Sequence, residues 1–462
     1  MRRIPFSFLF LVSVLLSCAA PSLLAQSGTN QTDITDLYSY GDDYFFEVVT
    51  MPEWGGNKSR VVVLVRLSYN LINFRKVSVP GSTDDLFIST PSVYVEAQAS
   101  DGVIVDYGRW TDTVREREYR LTNSRWYFSP GVIELRLRPG TYTISYTIDD
   151  GSSGDPFSRT TQEFRVPDFS GGQPEIGTPI FLREMNGETA VAAGIDGNAH
   201  FGQPLRAWVP LASGSPPSNL RYEVLAVEGG DEDGGEPLAF RTIEAGTADL
   251  QGSAVPGQMI ARGNTIGFAI ERDSVPRGVY GAYLEYAAGR LEEGEYALLL
   301  EYQAGGETVV DTALFSLRWI EKPFTLVNST YAINALYPIA TDEEIDELLS
   351  VEKERRADAL VTFWKTQDPT PETVYNERMA EFYRRADYAY FNFASLSEGD
   401  GVFTDRGKIY MLYGPPTKTE RELKPDANPE EIWTYNNIVN REFIFRDRTE
   451  TGAYQLVEYY DL

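Results

Sequence analysis

The spacing of hydrophobic and polar positions changes period once along this chain. From Tyr44 to about Val166 it consists of short runs, among them YFFEVVT, SRVVVLVRLSY, SVYVEAQAS, VIELRLR, TYTISYTID and TTQEFRV. These are rich in β-branched and aromatic residues and often alternate, as strands with one buried face do. Gly, Pro, Asn and Asp gather between them, where hairpins need turn residues. Roughly seven or eight strands over about 125 residues predict a β-sandwich. A second unit of the same kind runs from about Pro179 to Trp319, and the ends of the two units echo each other. The first reads Leu137-Arg-Pro-Gly140-Thr-Tyr142; the second reads Leu291-Glu-Glu-Gly294-Glu-Tyr296. A Gly-x-Tyr entering a late strand is similar to the tyrosine corner of immunoglobulin-like sandwiches, where the phenol bonds backbone upstream. Tyr142 and Tyr296 are therefore expected to pin corners; stacking on a ligand is the other reading.

After KPFTLVNSTYAINALYPIA, read as a connection, the pattern becomes helical. Thr341-x-x-Glu344 is a capping box with acids in its first turn. Ile345, Leu348, Leu349, Leu360, Phe363 and Trp364 fall largely on one stripe. A second helix is expected from Thr370-Pro371, with Phe382, Ala386, Ala389 and Phe393 as its apolar face. Lys408 to Tyr413, EIWTYNN, REFIFRD and AYQLVEY then read as strands. The predicted fold is multidomain and mainly β. Two tandem immunoglobulin-like β-sandwich units, 37–169 and 170–322, precede an α+β domain at 341–462 of two helices plus an antiparallel sheet.

The N-terminus has a different character. Two arginines, an apolar run from Ile4 to Leu16 and small residues after it form an export signal over residues 1–25. Cleavage has two readings. Leu15-Leu16-Ser17-Cys18 resembles a lipobox, which would lipidate Cys18; a cut after Ala25 would remove it. Either way the expected destination is the cell envelope, in the periplasm or at the outer membrane, with membrane attachment only through a lipid on Cys18.

Charge and residue scarcity prune the chemistry. With 41 Lys+Arg against 68 Asp+Glu the net charge is −27, which repels phosphate backbones and sets nucleic acid aside as a partner. One histidine, His200, and one cysteine, Cys18, leave no HExxH, CxxC or Cys/His zinc set to be written. His200, in DGNAHFGQP, is expected in a surface loop. The acidic run GGDEDGGE at 229–236 fits no EF-hand spacing and reads as a solvated loop. No phosphate-loop motif is present, so no cofactor or metal is expected.

Five segments carry a family resemblance: FWKTQDPTPETVYNE (363–377), EFYRRADYA (381–389), TDRGKIYMLYGPPTKTER (404–421), EEIWTY (430–435) and FIFRDRTETGAYQLV (443–457). In this order they resemble the GWxTD domain, a family of bacterial envelope proteins without an established biochemical activity. The naming Gly-Trp-x-Thr-Asp stands here as Gly401-Val402-Phe403-Thr404-Asp405, without the tryptophan. The resemblance implies Trp364, Asp368, Arg384, Phe403, Thr404, Asp405, Arg406, Gly407, Tyr413, Gly414, Pro415 and Trp433 as candidate binding residues. It also implies β-rich regions ahead of the domain.

Two readings of residues 401–416 compete. In the catalytic one, Asp405 is an acid or base, Arg406 an anion clamp and Gly414-Pro415-Pro416 a rigid lip, with Asp368, Glu420 or Glu431 as second carboxylate for glycan chemistry. In the structural one, Thr404 and Asp405 bond nearby backbone, Gly407 takes a positive φ and the prolines end a strand. Asp368, Arg384, Asp405 and Asp447 would then pair charges between helix and sheet. The structural reading needs fewer assumptions. It leads to an exported, non-catalytic envelope protein whose C-terminal domain docks an envelope protein partner. A carbohydrate-binding protein or carboxylate-dependent glycan-acting enzyme, with a glycan as ligand, is the alternative.

Overall fold

The computed structural model describes residues 43–53, 58–78, 85–124, 127–152, 156–160, 163–170, 172–193, 198–228, 239–263, 265–274, 278–286, 289–319, 322–395, 399–422 and 427–462. The export signal, Cys18 and the acidic run at 229–236 lie outside the described residues. The chain is mainly β, with its helices near the C-terminus, and divides into two compact units, one through Trp319 and one from residue 320 on.

In the first unit, alternation along the strands decides which sheet meets which. Strands Tyr44–Met51, Ser59–Ser68 and Phe128–Leu137 form one antiparallel sheet. A second is built on Phe157–Thr160, Gly140–Asp149, Ser92–Ala99 and Ile104–Thr111. Val61, Val63, Val65 and Leu67 leave one face of Ser59–Ser68 and meet Val93, Val95, Ile144 and Ile148 of that second sheet. Val62 and Leu64 leave the opposite face and pack with Ile180, Leu182, Trp208 and Phe268. Those residues belong to a nine-stranded sheet that includes Ile180–Asn186, Leu205–Ala212 and Thr265–Arg272. Its other face, through Ala207, Val209 and Leu211, meets Leu298, Leu300 and Phe315 of a five-stranded sheet. Four sheets thus enclose three successive cores. The two inner sheets are buried on both sides, which is why SRVVVLVRLS and LRAWVPLA are almost continuously apolar.

Polar contacts join the two inner sheets. Arg60 is buried and donates to the carbonyls of Pro256 (2.6 Å) and Gly257 (3.0 Å) and to Glu134 (3.1 Å). Thr50 and Thr178 share a hydroxyl bond of 2.8 Å. At the corners, Tyr142 donates to the Arg138 carbonyl (3.0 Å) and Tyr296 to the Glu292 carbonyl (2.8 Å), each four residues upstream. His200 is not in a loop. It ends the short edge strand Asn198–His200, half-buried, with a ring nitrogen against the Ala193 carbonyl.

The second unit begins its helices earlier than the periodicity predicts. The segment read as a connection holds a 3₁₀ turn, Phe324–Val327, and helix α1, Ser329–Asn334. Helix α2, Asp342–Ser350, starts on the capping box, with Thr341 Oγ1 accepting from Glu344 N (3.2 Å) and Glu344 accepting from Thr341 N (2.8 Å). It ends at Ser350, and α3 is Arg356–Lys365. Helix α4, Glu377–Phe393, starts after Asn376 rather than at Thr370-Pro371. Asn376 Oδ1 accepts from Met379 N (2.8 Å) while its amide donates to the Trp364 carbonyl (2.9 Å), so one buried side chain caps α4 and ties it to α3. Helix α5, Asp405–Tyr413, occupies the segment expected to be a strand. A four-stranded antiparallel meander follows: Lys418–Glu422, Glu430–Tyr435, Arg441–Asp447 and Tyr454–Asp461. One aromatic core joins helices and sheet, built on Trp364, Tyr383, Tyr435 and Phe445.

Candidate functional site

Residues 400–414 make the tightest part of the second unit. Asp400 caps the 3₁₀ turn Gly401–Phe403 by accepting from Val402 N (2.9 Å). Thr404, 4% exposed, caps α5: it accepts from Gly407 N (3.0 Å) and donates to the Gly401 carbonyl (2.9 Å). Gly407 is helical and does not take a positive φ; its role is close approach. A Cβ there would lie 2.1 Å from the Gly401 oxygen, and one on Gly401 would lie 2.0 Å from the Ala389 oxygen. The two glycines let α4, the 3₁₀ turn and α5 touch backbone to backbone. Gly414 takes the positive φ, +75°, just past α5, and its carbonyl accepts from Tyr435 (2.7 Å).

Arg406 points inward. The residue is 7% exposed, and its guanidinium lies between the rings of Phe393 (5.1 Å) and Tyr454 (4.5 Å) and reaches the Gly452 carbonyl (3.3 Å) and Glu431 (3.5 Å). Glu431, also buried, accepts from Trp433 Nε1 (2.7 Å) and Arg421 Nε (3.1 Å). This carboxylate joins α5 to two strands, and its hydrogen bonds offset the cost of its burial.

The remaining candidates take separate places. Trp364 and Trp433 are core residues. Asp368 accepts from Thr370 N (2.9 Å) in the turn after α3. Arg384 is exposed and pairs with Glu381, one turn back along α4. Asp405 accepts from Leu456 N (2.8 Å), tying the start of α5 to the last strand. Tyr413 stacks on Phe443 at 5.7 Å, and Pro415 is exposed beyond α5. Asp447 is buried, which works to raise its carboxyl, but donors from Gly452, Thr449 and Thr451 outweigh this and hold it below the ordinary value. The predicted charge pairs among Asp368, Arg384, Asp405 and Asp447 are not formed; Asp368, Arg384 and Asp447 have partners nearby in sequence, and Asp405 has a backbone amide of the last strand.

One feature of this region was not predicted. Val402, at the position of the family's tryptophan, is fully buried, whereas Phe403 beside it is 47% exposed. Phe403 sits edge-on to Tyr331 (5.9 Å) and against Tyr337 (5.6 Å). Tyr331 meets Tyr390 (6.4 Å), and Phe324 meets both Tyr390 (5.0 Å) and Phe391 (5.1 Å), the last 55% exposed. These six rings form a surface strip. Three carboxylates border it. Asp400 accepts from the Tyr331 hydroxyl (2.8 Å), Asp387 from the Phe324 and Thr325 amides (2.8 and 3.0 Å), and Asp405 is the third. Burial first, then the Asp400 carboxylate, push the Tyr331 phenol well above its ordinary value; burial, then Asp405 and Asp400, do the same for Tyr337. The sequence signal was present in Asp400 directly before the motif and in the aromatic Tyr388–Phe393 stretch, but four of the rings come from other segments.

Among the described residues no group of three or more His, Cys, Asp or Glu is placed to hold a metal ion, and no helix is long and apolar enough to cross a membrane. No curated protein matches the chain. Among solved structures it is similar to an ICAM-5 D1-D4 ectodomain fragment, at 10% identity over 56% of this chain and 61% of that one, with TM-score 0.15. It is also similar to a family 123 glycoside hydrolase from Clostridium perfringens, at 12% identity over 38% and 34%, TM-score 0.16. A titin fragment, A168169, is similar at 13% identity over 54% and 96%, TM-score 0.11. The chain thus spans less than two thirds of the length of the first two. Residues 308–462 match the family model of the GWxTD domain, so this C-terminal region is a GWxTD domain, with Val402 where the naming tryptophan would stand.

Proposed function

We propose that this is an exported cell-envelope protein with a non-catalytic binding or assembly role, whose GWxTD domain docks a partner protein. In this reading two immunoglobulin-like sandwiches carry the domain, a view supported by the paired tyrosine corners and the β-rich sequence. The observation that carries the docking reading is how the signature residues are used. Gly401, Thr404, Arg406, Gly407, Glu431 and Trp433 are buried and spent on packing the helices against one another and onto the sheet, while Phe403 and Phe391 face outward. Proteins without a chemical task expose large apolar groups in a line mainly where something covers them. The test is crosslinking in native envelopes with the full chain and with a chain ending at Trp319. Loss of the captured neighbours on truncation supports docking; an unchanged set refutes it.

A further inference from the structure

Building on that docking role, we propose that the aromatic strip beside the GWxTD motif receives an arginine-bearing, extended segment of the partner protein. Aromatic faces attract cations through the ring quadrupole, and guanidinium groups stack on them best. The strip offers two outward rings, Phe391 and Phe403, joined through the half-buried Tyr331, Tyr390 and Phe324. Three carboxylates line its borders. Asp387, Asp400 and Asp405 each accept hydrogen bonds from backbone amides or a phenol, and among the described residues no lysine or arginine lies within 4.0 Å of any of them. Their charges therefore remain available to a ligand cation laid along the rings. One cation of the chain already uses such a face: Lys408 Nζ stands 6.0 Å from the Tyr337 ring centre. A second copy of the chain is a poor occupant, because at −27 the protein repels itself. A neutral glycan would stack on the rings and donate hydroxyls to the carboxylates, but it would leave their charge unbalanced, which a guanidinium does not.

The test uses the full chain and fluorescence anisotropy with labelled ten-residue peptides, alternating Arg-Ser and alternating Glu-Ser, with chitohexaose as a glycan probe. The Arg-Ser peptide should bind saturably and the Glu-Ser peptide should not. The double substitution Phe391→Ala, Phe403→Ala should weaken binding about tenfold while the chain stays folded by circular dichroism, whereas Tyr107→Ala, an exposed tyrosine of the first unit, should stay within twofold. Phe403→Leu keeps an apolar contact without a ring and should also weaken binding. Equal affinities in all variants, or no saturable peptide binding, would overturn the proposal. So would chitohexaose binding that the double substitution removes, which would assign the strip to glycan. If the peptide fails while truncation at Trp319 still strips the crosslinked neighbours, docking stands and this surface is wrong. Failure of the truncation test alone falls on the docking reading.

Discussion

Replacing Gly407 with alanine sets two effects against each other. Alanine in a helix is favoured over glycine by up to about 1 kcal/mol, less near the first turn where Gly407 sits. Against this, the new Cβ would start 2.1 Å from the Gly401 oxygen, and real Cβ contacts essentially never fall under 3.0 Å. The obstacle is backbone, so the 3₁₀ turn must move by about 1 Å, a cost in the overpacking range of about 1–3 kcal/mol. That movement also strains the bond from Thr404 to the same carbonyl, a further 1 kcal/mol or so. The clash wins, by about 3 kcal/mol at the upper end. Hydrogen exchange read by mass spectrometry on peptides covering 401–413 isolates this region from the other unit. Protection there should fall on the order of a hundredfold, with strands of the first unit unchanged. Protection unchanged or increased would mean that α5 and the 3₁₀ turn do not touch as described.

Three further outcomes follow from other residues. Thr404→Ala removes the α5 cap and should cost about 1–2 kcal/mol in urea unfolding, while Thr404→Ser should recover most of it; equal stabilities would refute the cap. Arg60→Ala strands two carbonyls between the inner sheets of the first unit and removes one of the two arginines that pair with Glu134, leaving Arg136. It should lower stability by about 3 kcal/mol and expose 254–257 to exchange, with Arg60→Lys intermediate. Asp387 titrates in the opposite sense to most carboxyls. Burial, only partly offset by the Thr325 and Phe324 donors, raises it to about 6 from 3.8. The folded state therefore holds this proton more tightly, and the stability it adds at low pH is lost as pH rises through about 6. Against Asp387→Asn, the native chain should lose about 2–3 kcal/mol between pH 4 and 7; a constant difference would refute the assignment.

Much of this was legible because local rules and tertiary packing agree. The capping box at Thr341–Glu344 needs only its own four residues, and Tyr142 and Tyr296 need only the carbonyl four places back. Helix α5 misled the reading because Ile409, Tyr410 and Tyr413 are strand-like in type. Their burial on the aromatic core, with Thr404 as cap, outweighs that preference. The Thr404–Gly407 signal was visible, but it serves equally as a turn or a helix start. Thr370-Pro371 likewise carried a start signal, yet Asn376 takes the cap because its side chain also answers the Trp364 carbonyl. The charge pairs predicted among four distant aspartate and arginine positions required knowing which loops curl back on themselves. The aromatic strip was out of reach, since its rings come from four segments spread over 324–403.

Strand Ser59–Ser68 has a practical consequence for anyone cutting this protein into pieces. Its odd-numbered side chains belong to one core and its even-numbered ones to the next, so it works as a party wall. A fragment ending near residue 170 would bare Val49, Met51, Val62 and Leu64 to water together. Such a fragment is expected to aggregate or pair with itself. The first 319 residues are therefore better expressed and deleted as one block, with Trp319 as the natural place to cut.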